Sequence, residues 1–222
     1  MGYDHMEDNN TARTIRHTAH TDLALELQEE LESDGMRDQR EQRDSRSFGS
    51  GIHVEKRKRE GGRLKEAIIT VTNEEGERIL GKPKGVYITL EGVDLADNDG
   101  AFHEEMSALL AQHLEKLLGS RKKILVAGLG NREVTPDALG PLVIKNLFIT
   151  GHLEEYAFSG KMRASMAIAP GVMAQTGMET GEVLKGVIDQ TKPEALLVID
   201  ALAAKTSARL NKTIQICDTG IA

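Results

Sequence analysis

The chain has 222 residues, a net charge of −7, 28% charged residues and 3% aromatic residues, with no tryptophan. This composition predicts a soluble globular protein and argues against a nucleic-acid or anionic-membrane surface, which needs positive charge or exposed rings. No apolar stretch is long enough to span a bilayer. Cys217 is the single cysteine, which excludes an internal disulfide and a cysteine-based zinc site and is typical of a cytoplasmic protein.

The first 63 residues are more polar than the rest of the chain. The N-terminal stretch lacks the apolar segment of a secretory signal peptide. Residues 23–63 are interpreted as a polar, weakly packed arm, because "ESDGMRDQREQRDSRSFGSG" shows almost no apolar periodicity. The basic run at 55–65 is typical of a solvated face, with a patch for an acidic partner as the alternative.

From residue 64 to 222 the pattern is regular and predicts one α/β domain. Residues 66–92 read as strands with turn signals at Glu75-Gly76 and Lys82-Pro83. Residues 103–120 form an amphipathic helix that ends at Gly119 and carries two histidines, which are interpreted as packing or surface residues.

Strands and helices then alternate, as "KILVAG", "ASMAIAP" and "EALLVID" are separated by helical patterns. These apolar runs are continuous, which is typical of strands covered on both faces. The predicted fold class is α/β, with a mostly parallel sheet flanked by helices. The chain stops soon after the strand "KTIQI", so we expect the domain to be incomplete at its C-terminus.

The loop "GLGNREVTPD" follows one of these strands. Gly128 and Gly130 stand where a dinucleotide-binding fingerprint would begin, but the third small residue is replaced by Glu133, which would repel a pyrophosphate. We therefore expect no nucleotide cofactor. The two glycines, with Asn131, are interpreted as shaping a functional loop.

Two aspartates, Asp137 and Asp200, follow predicted parallel strands. For Asp137 the sequence offers a structural explanation, with Thr135 as N-cap, Pro136 at the first helical position and the acid in the first turn. Asp200 ends "LLVID" and has the same alternative, as a cap or turn acid. Ligands bind at the carboxyl edge of such sheets, where two neighbouring carboxylates would form an acid–base pair able to hydrolyse a peptide bond.

His152 offers a further alternative. Together with the two aspartates it would supply imidazole and carboxylate ligands for zinc or nickel. A packing or surface histidine is the other interpretation of this residue.

The stretch "VAGLGNREVTPDALGPLVIKNLFITGHL" resembles the germination protease family of spore-forming bacteria. The resemblance continues through "SMAIAPGVMAQTGMET", "LLVIDALAAK" and "TIQICDTGI", and near the start in "TDLALE". It covers residues 21–221 and is weakest over 28–63. It implies a hydrogenase-maturation-protease-like sandwich and an atypical aspartic endopeptidase without a cofactor, whose two essential aspartates fall on Asp137 and Asp200. The alternatives are a metal-dependent endopeptidase of the maturation type and an inactive peptide-binding module of the same fold.

The resemblance also implies a zymogen that removes its own propeptide. Family substrates, the small acid-soluble spore proteins, are cut after an acid that precedes an apolar residue and alanine. Because "TDLA" at Thr21–Ala24 has this form, we expect self-cleavage between Asp22 and Leu23, with residues 1–22 as tag and propeptide. Further implications are a location in the forespore or spore core, a homo-oligomer (a tetramer in the family), and a longer C-terminal part.

Overall fold

The computed structural model describes residues 21–35, 46–47, 51–59, 62–92, 95, 97, 99–153 and 162–221. The strands are β1 (Arg46–Ser47), β2 (Ile52–Lys58), β3 (Leu64–Val71), β4 (Gly85–Gly92), β5 (Lys123–Gly128), β6 (Ala164–Ile168), β7 (Ala195–Ile199) and β8 (Thr213–Cys217). The helices are α1 (Ala24–Gly35), α2 (Glu74–Leu80), α3 (Gly100–Leu118), α4 (Leu139–Asn146), α5 (Met173–Thr176) and α6 (Thr180–Thr191). The tag and most of the predicted propeptide lie outside the described residues.

Five strands form an antiparallel sheet in the order β1-β2-β3-β4-β8. Alternate residues of each strand point to opposite faces of this sheet. Ile69 and Tyr87 belong to the cluster that packs under α1, whereas Leu90 belongs to the cluster that packs under α3. The sheet is therefore covered by helices on both faces, and each buried large apolar side chain stabilises the fold by roughly 1.5–3 kcal/mol.

Helix α3 confirms the amphipathic pattern of residues 103–120. It begins three residues earlier than predicted, because the Asp99 side chain accepts a hydrogen bond from the backbone N–H of Phe102 and caps the first turn. It ends at Gly119, as predicted. Phe102, Met106 and Leu109 are buried against the antiparallel sheet.

Three strands form a separate parallel sheet in the order β6-β5-β7. The central strand β5 pairs Val126 with Ala167 on one side and with Leu197 on the other. Its residues from Ile124 to Gly128 are buried, whereas those of β6 and β7 are mostly half-buried. Within the part of the chain that the structure describes, no helix is both long and apolar enough to cross a membrane.

The α/β class is confirmed, but the prediction of a mostly parallel sheet is wrong. Only three described strands are parallel, and the five others are antiparallel. The continuous apolar runs from which the prediction was made, β5, β6 and β7, do pair in parallel. The prediction failed because it extended this pattern to the whole sheet, whereas the strands before α3 pair antiparallel with one another and with β8.

Parts of the segment 23–63, interpreted as a weakly packed arm, are packed. Leu25 of α1 and Ile52 of β2 are 4% and 0% exposed and lie in the core on one face of the antiparallel sheet. Strand β2 pairs along its whole length with β3. The polar positions of β2 face outward, whereas α1 buries Glu26 and Gln28 beside its leucines, so that neither element shows a simple apolar pattern in the sequence. The division of the chain into domains stays a prediction.

Candidate active site

Asp137 and Asp200 follow neighbouring strands of the parallel sheet and lie at the same edge. Gly128, the last residue of β5, pairs with Ile199, the last residue of β7. Asp200 follows Ile199 directly, and the next backbone bond continues the alignment, from Leu129 N–H to the Ile199 carbonyl at 2.8 Å. The strand ends therefore bring the loops that carry both aspartates to one edge, where ligands bind in sheets of this kind.

The loop after β5 folds back on itself through Asp137. The Asp137 carboxylate accepts a hydrogen bond from the backbone N–H of Asn131, at 2.7 Å. Gly130 has φ +107°, and a Cβ atom there would lie 2.1 Å from the Asp137 carbonyl oxygen. The loop closes around the aspartate only because residue 130 has no side chain.

The capping interpretation of Asp137 does not hold. Thr135, Pro136 and Asp137 form a single 3₁₀ turn, in which Val134 is the N-cap and makes no side-chain cap bond. Helix α4 begins only at Leu139, with Ala138 as its N-cap. Thr135 is therefore not a cap, and the acid is bonded to the loop rather than to the helix.

Asp200 is half-buried and bonded locally. Its carboxylate accepts a hydrogen bond from the backbone N–H of Ala201 at 2.8 Å, and the residues that follow are not helical. Burial raises the pKa of Asp200, the bond from Ala201 partly opposes this, and the carboxylates of Asp137 and Asp22 raise the pKa further. Two other carboxylates thus favour the protonated form of Asp200 at this edge of the sheet, and a carboxyl that keeps its proton can serve as an acid.

Gln175 belongs to the same edge but was not found by sequence reasoning. It lies on α5, in the segment after β6, and its amide donates to the Asn131 side-chain oxygen at 2.9 Å. The same oxygen accepts from the backbone N–H of Glu133 at 2.9 Å. Asn131 therefore joins the segment after β6 to the loop of Asp137, a link that no local motif reveals.

The predicted processing residues lie beside the segment that follows Asp200. The Asp22 backbone N–H donates to the Ala203 carbonyl at 3.0 Å, and the Asp22 carboxylate accepts from the Ala203 N–H at 2.9 Å. Leu23 is 1% exposed. Both residues of the predicted cleavage site are thus held in the described fold, next to the segment that carries Asp200.

Glu26 fastens the start of α1 to the same segment. Its carboxylate accepts hydrogen bonds from the Thr21 hydroxyl, the Lys205 N–H and the N–H and hydroxyl of Thr206. Burial raises the pKa of Glu26, but these hydrogen bonds outweigh it and lower the pKa to about 2. Arg209 adds positive charge, with Nη1 at 3.7 Å from Glu26 Oε1.

His152 does not join the aspartates. It is exposed in the turn Gly151–Leu153, next to Thr150, whose N–H donates to the Ser165 carbonyl at the start of β6. Because the strands are parallel, the start of β6 lies at the opposite edge of the sheet from Asp137 and Asp200. Among the described residues, no group of three or more histidine, cysteine, aspartate or glutamate side chains is arranged to hold a metal ion.

Comparison with known proteins identifies relatives over most of the chain. The germination protease of Bacillus subtilis is 45% identical over 177 residues, which is 76% of this chain and 47% of the relative. That of Clostridium tetani is 41% identical over 206 residues, 90% of this chain and 60% of the relative. That of Caldanaerobacter subterraneus subsp. tengcongensis is 43% identical over 176 residues, 77% of this chain and 54% of the relative.

The chain thus spans about half the length of these relatives, between 47% and 60%. A family model described as germination protease matches residues 24–222, which include both aspartates and the loop between Gly128 and Asp137. The chain therefore belongs to the germination protease family.

Proposed function

We propose that this chain is the aspartate-bearing part of an endopeptidase zymogen. The observation that carries the proposal is that Asp137 and Asp200 follow neighbouring parallel strands at one edge of the sheet, with the pKa of Asp200 raised by burial and by nearby carboxylates. A carboxyl that keeps its proton beside one that has lost it supplies both an acid and a base.

In the proposed reaction Asp200 is the acid and Asp137 is the base. Asp137 removes a proton from a water molecule while the water oxygen bonds to the carbonyl carbon of the substrate. Asp200 gives its proton to the carbonyl oxygen, which forms a tetrahedral intermediate with two hydroxyl groups. The C–N bond then breaks as the nitrogen takes the proton held by Asp137 and one hydroxyl returns a proton to Asp200. The products are a carboxyl group and an amine. Asn131, held by Gln175, orients the base through its backbone N–H.

The proposal includes self-cleavage between Asp22 and Leu23. Asp22 is bonded through both its N–H and its carboxylate to Ala203, in the segment that follows Asp200, and its charge contributes to the raised pKa of Asp200. Because a carboxyl pair that shares one proton works only within a window of pH, mild acidification is the expected trigger.

The substrates and setting proposed here follow from the family. They are small acid-soluble spore proteins, degraded in the forespore or spore core during germination by a homo-oligomer. The corresponding fold is the hydrogenase-maturation-protease type, of which the parallel sheet β6-β5-β7 would form the site-bearing part. Exposed apolar residues near this edge support a protein substrate: Val134 and Met178 lie in loops, and Leu139 and Met173 are the first residues of α4 and α5.

Intact-mass spectrometry before and after mild acid treatment tests the function. The parent chain is expected to lose residues 1–22, whereas Asp137→Asn and Asp200→Asn remain intact. Asp189→Asn, an exposed position on α6, is the matched control and is expected to behave as the parent. Cleavage that persists in both site variants would refute the aspartate mechanism, and cleavage at another bond would refute the processing site.

A further inference from the structure

Gln215 brackets the peptide bond at which cleavage is proposed. It lies on β8 opposite Thr89 of β4, and its side-chain amide makes two hydrogen bonds to the N-terminal segment. Nε2 donates to the Asp22 carbonyl oxygen at 3.0 Å, and Oε1 accepts from the Ala24 backbone N–H at 2.8 Å. One side chain therefore bonds both the carbonyl of the Asp22–Leu23 peptide bond and the N–H of the following peptide bond, that of Ala24.

Further hydrogen bonds hold Asp22, the residue before the proposed cleavage point, in a defined position. Ala203 accepts from the Asp22 N–H and donates to the Asp22 carboxylate, so that the amide, the side chain and the carbonyl of Asp22 are each bonded. Leu23 is buried, which holds the residue after the cut in place. The segment Asp22–Leu23 leads directly into α1, which begins at Ala24, and Gln215 bonds the chain on both sides of Leu23.

We propose that Gln215 is a catalytic residue of self-cleavage, the donor that stabilises negative charge on the Asp22 carbonyl oxygen as the bond is hydrolysed. The inference deepens the proposed function and rests on it. As Asp137 takes a proton from the water and the water oxygen bonds to the carbonyl carbon, the electron pair of the C=O bond moves to the carbonyl oxygen. The Nε2–H group, which already donates to this oxygen, stabilises the charge until Asp200 transfers its proton there. A donor oriented before the reaction stabilises this charge without reorganisation.

The alternative role of Gln215 is to fasten the start of α1. Gln215→Glu separates the two roles, because the introduced carboxylate still accepts from Ala24 but no longer donates to the Asp22 carbonyl. At lower pH the introduced carboxyl takes up a proton and becomes a donor again. A residue that fastens α1 through its bond to Ala24 shows no such dependence of the cleavage rate, since that bond needs only an acceptor. Loss of the bond to the Asp22 carbonyl as a purely structural contact would appear in the thermal unfolding of the variant at the same pH values.

The experiment measures the rate of loss of residues 1–22 by intact mass, for the parent and Gln215→Glu, at several pH values across the range in which the parent is processed. The expected ratio of parent to variant rate is about 100 at the upper end of that range, the effect of removing one oriented donor, and it falls toward one as the pH is lowered. Gln190→Glu, the same substitution at an exposed position on α6, is expected to give a ratio of one throughout.

Each outcome of the experiment supports or overturns a stated part of the proposal. A ratio of one for Gln215→Glu, or a deficit that is the same at every pH, would overturn the role of Gln215 while leaving self-cleavage in place. A parent that is not cut between residues 22 and 23 would overturn the processing site itself. Thermal unfolding shows whether Gln215→Glu folds. If it does not, Gln215→Asn, which keeps the amide on a shorter side chain, replaces it in the experiment. For Gln215→Asn, a lower cleavage rate than the parent at every pH supports the role of Gln215, and the parental rate overturns it.

Discussion

Glu26 and Thr206 are joined by two hydrogen bonds, since Glu26 Oε1 accepts from the Thr206 N–H at 3.1 Å and from its hydroxyl at 2.7 Å. The bonds connect α1 with the segment between β7 and β8. That segment starts at Asp200, so the position of α1 and the position of a proposed catalytic acid depend on one another.

Glu26→Gln is expected to lower the free energy of unfolding by about 2 kcal/mol near neutral pH, because an amide group would face backbone donors that now bond a carboxylate. The folded-state pKa of Glu26 is about 2, below the ordinary 4.5, so its contribution is complete above pH 4.5 and is lost as the pH falls toward 2. Urea unfolding at several pH values should show the two proteins converging in acid. Glu105→Gln, at an exposed position on α3, is the control; a difference independent of pH would contradict the prediction.

Asp200→Asn is expected to have the opposite effect. Burial raises the folded-state pKa of Asp200 above its ordinary value of 3.8, so the ionised acid lowers the free energy of unfolding at neutral pH. This effect disappears below pH 3.8, where the acid is protonated in the folded and the unfolded state. The variant should therefore be more stable than the parent near neutral pH and equal to it in acid, while losing cleavage. Equal stability at neutral pH would show that the acid is not disfavoured in the fold.

Gly130→Ala should displace Asp137. The introduced Cβ would lie 2.1 Å from the Asp137 carbonyl oxygen and 2.8 Å from its Oδ1, at a backbone φ of +107° that side chains rarely adopt. We expect a stability loss of about 1–3 kcal/mol and loss of self-cleavage, measured by urea unfolding and intact mass. Gly186→Ala is the control: nothing surrounds a Cβ there within 4 Å, and a gain of about 0.5–1 kcal/mol is expected within a helix.

His113→Leu tests a buried polar pair away from the site. His113 Nε2 of α3 lies 2.7 Å from Glu66 Oε1 of β3, and the two side chains are 5% and 1% exposed. Arg57 of β2 and Arg59, just after β2, lie 4.0 and 3.9 Å from the other carboxylate oxygen, Glu66 Oε2. Removing the histidine alone should cost about 3–5 kcal/mol, because it leaves a buried carboxylate without its nearest partner. The double variant with Glu66→Leu should recover much of that loss in a double-mutant cycle; additive losses would show that the pair is not coupled.

The sequence located both aspartates but not their surroundings. An apolar run that ends in an acid, as at Asp200, is enough to predict a strand and the edge at which the acid lies. The strand order β6-β5-β7 is a tertiary property, and no local pattern contains it. The bonds of Asn131 with Gln175, and of Gln215 with Asp22, join distant parts of the chain for the same reason.

Helix α2 was missed although its signals were present. Asn73 caps it by accepting from the Gly76 N–H, and Gly81 ends it in the left-handed conformation. Both residue types are also turn formers, and the segment between two strands was short enough to be read as a turn. The helix is favoured over a turn because it places Leu80 in the core under α1.

Gly128 and Gly140 lie back to back where β5 passes α4. A Cβ at Gly128 would be 2.3 Å from the Gly140 carbonyl oxygen, and one at Gly140 would be 2.2 Å from the Leu129 carbonyl oxygen. Neither obstacle is a side chain that a second substitution would remove, because both are main-chain atoms. If both codons were randomised and the library selected for self-cleavage, glycine should return at both positions, and no compensating change elsewhere in the core should release either of them.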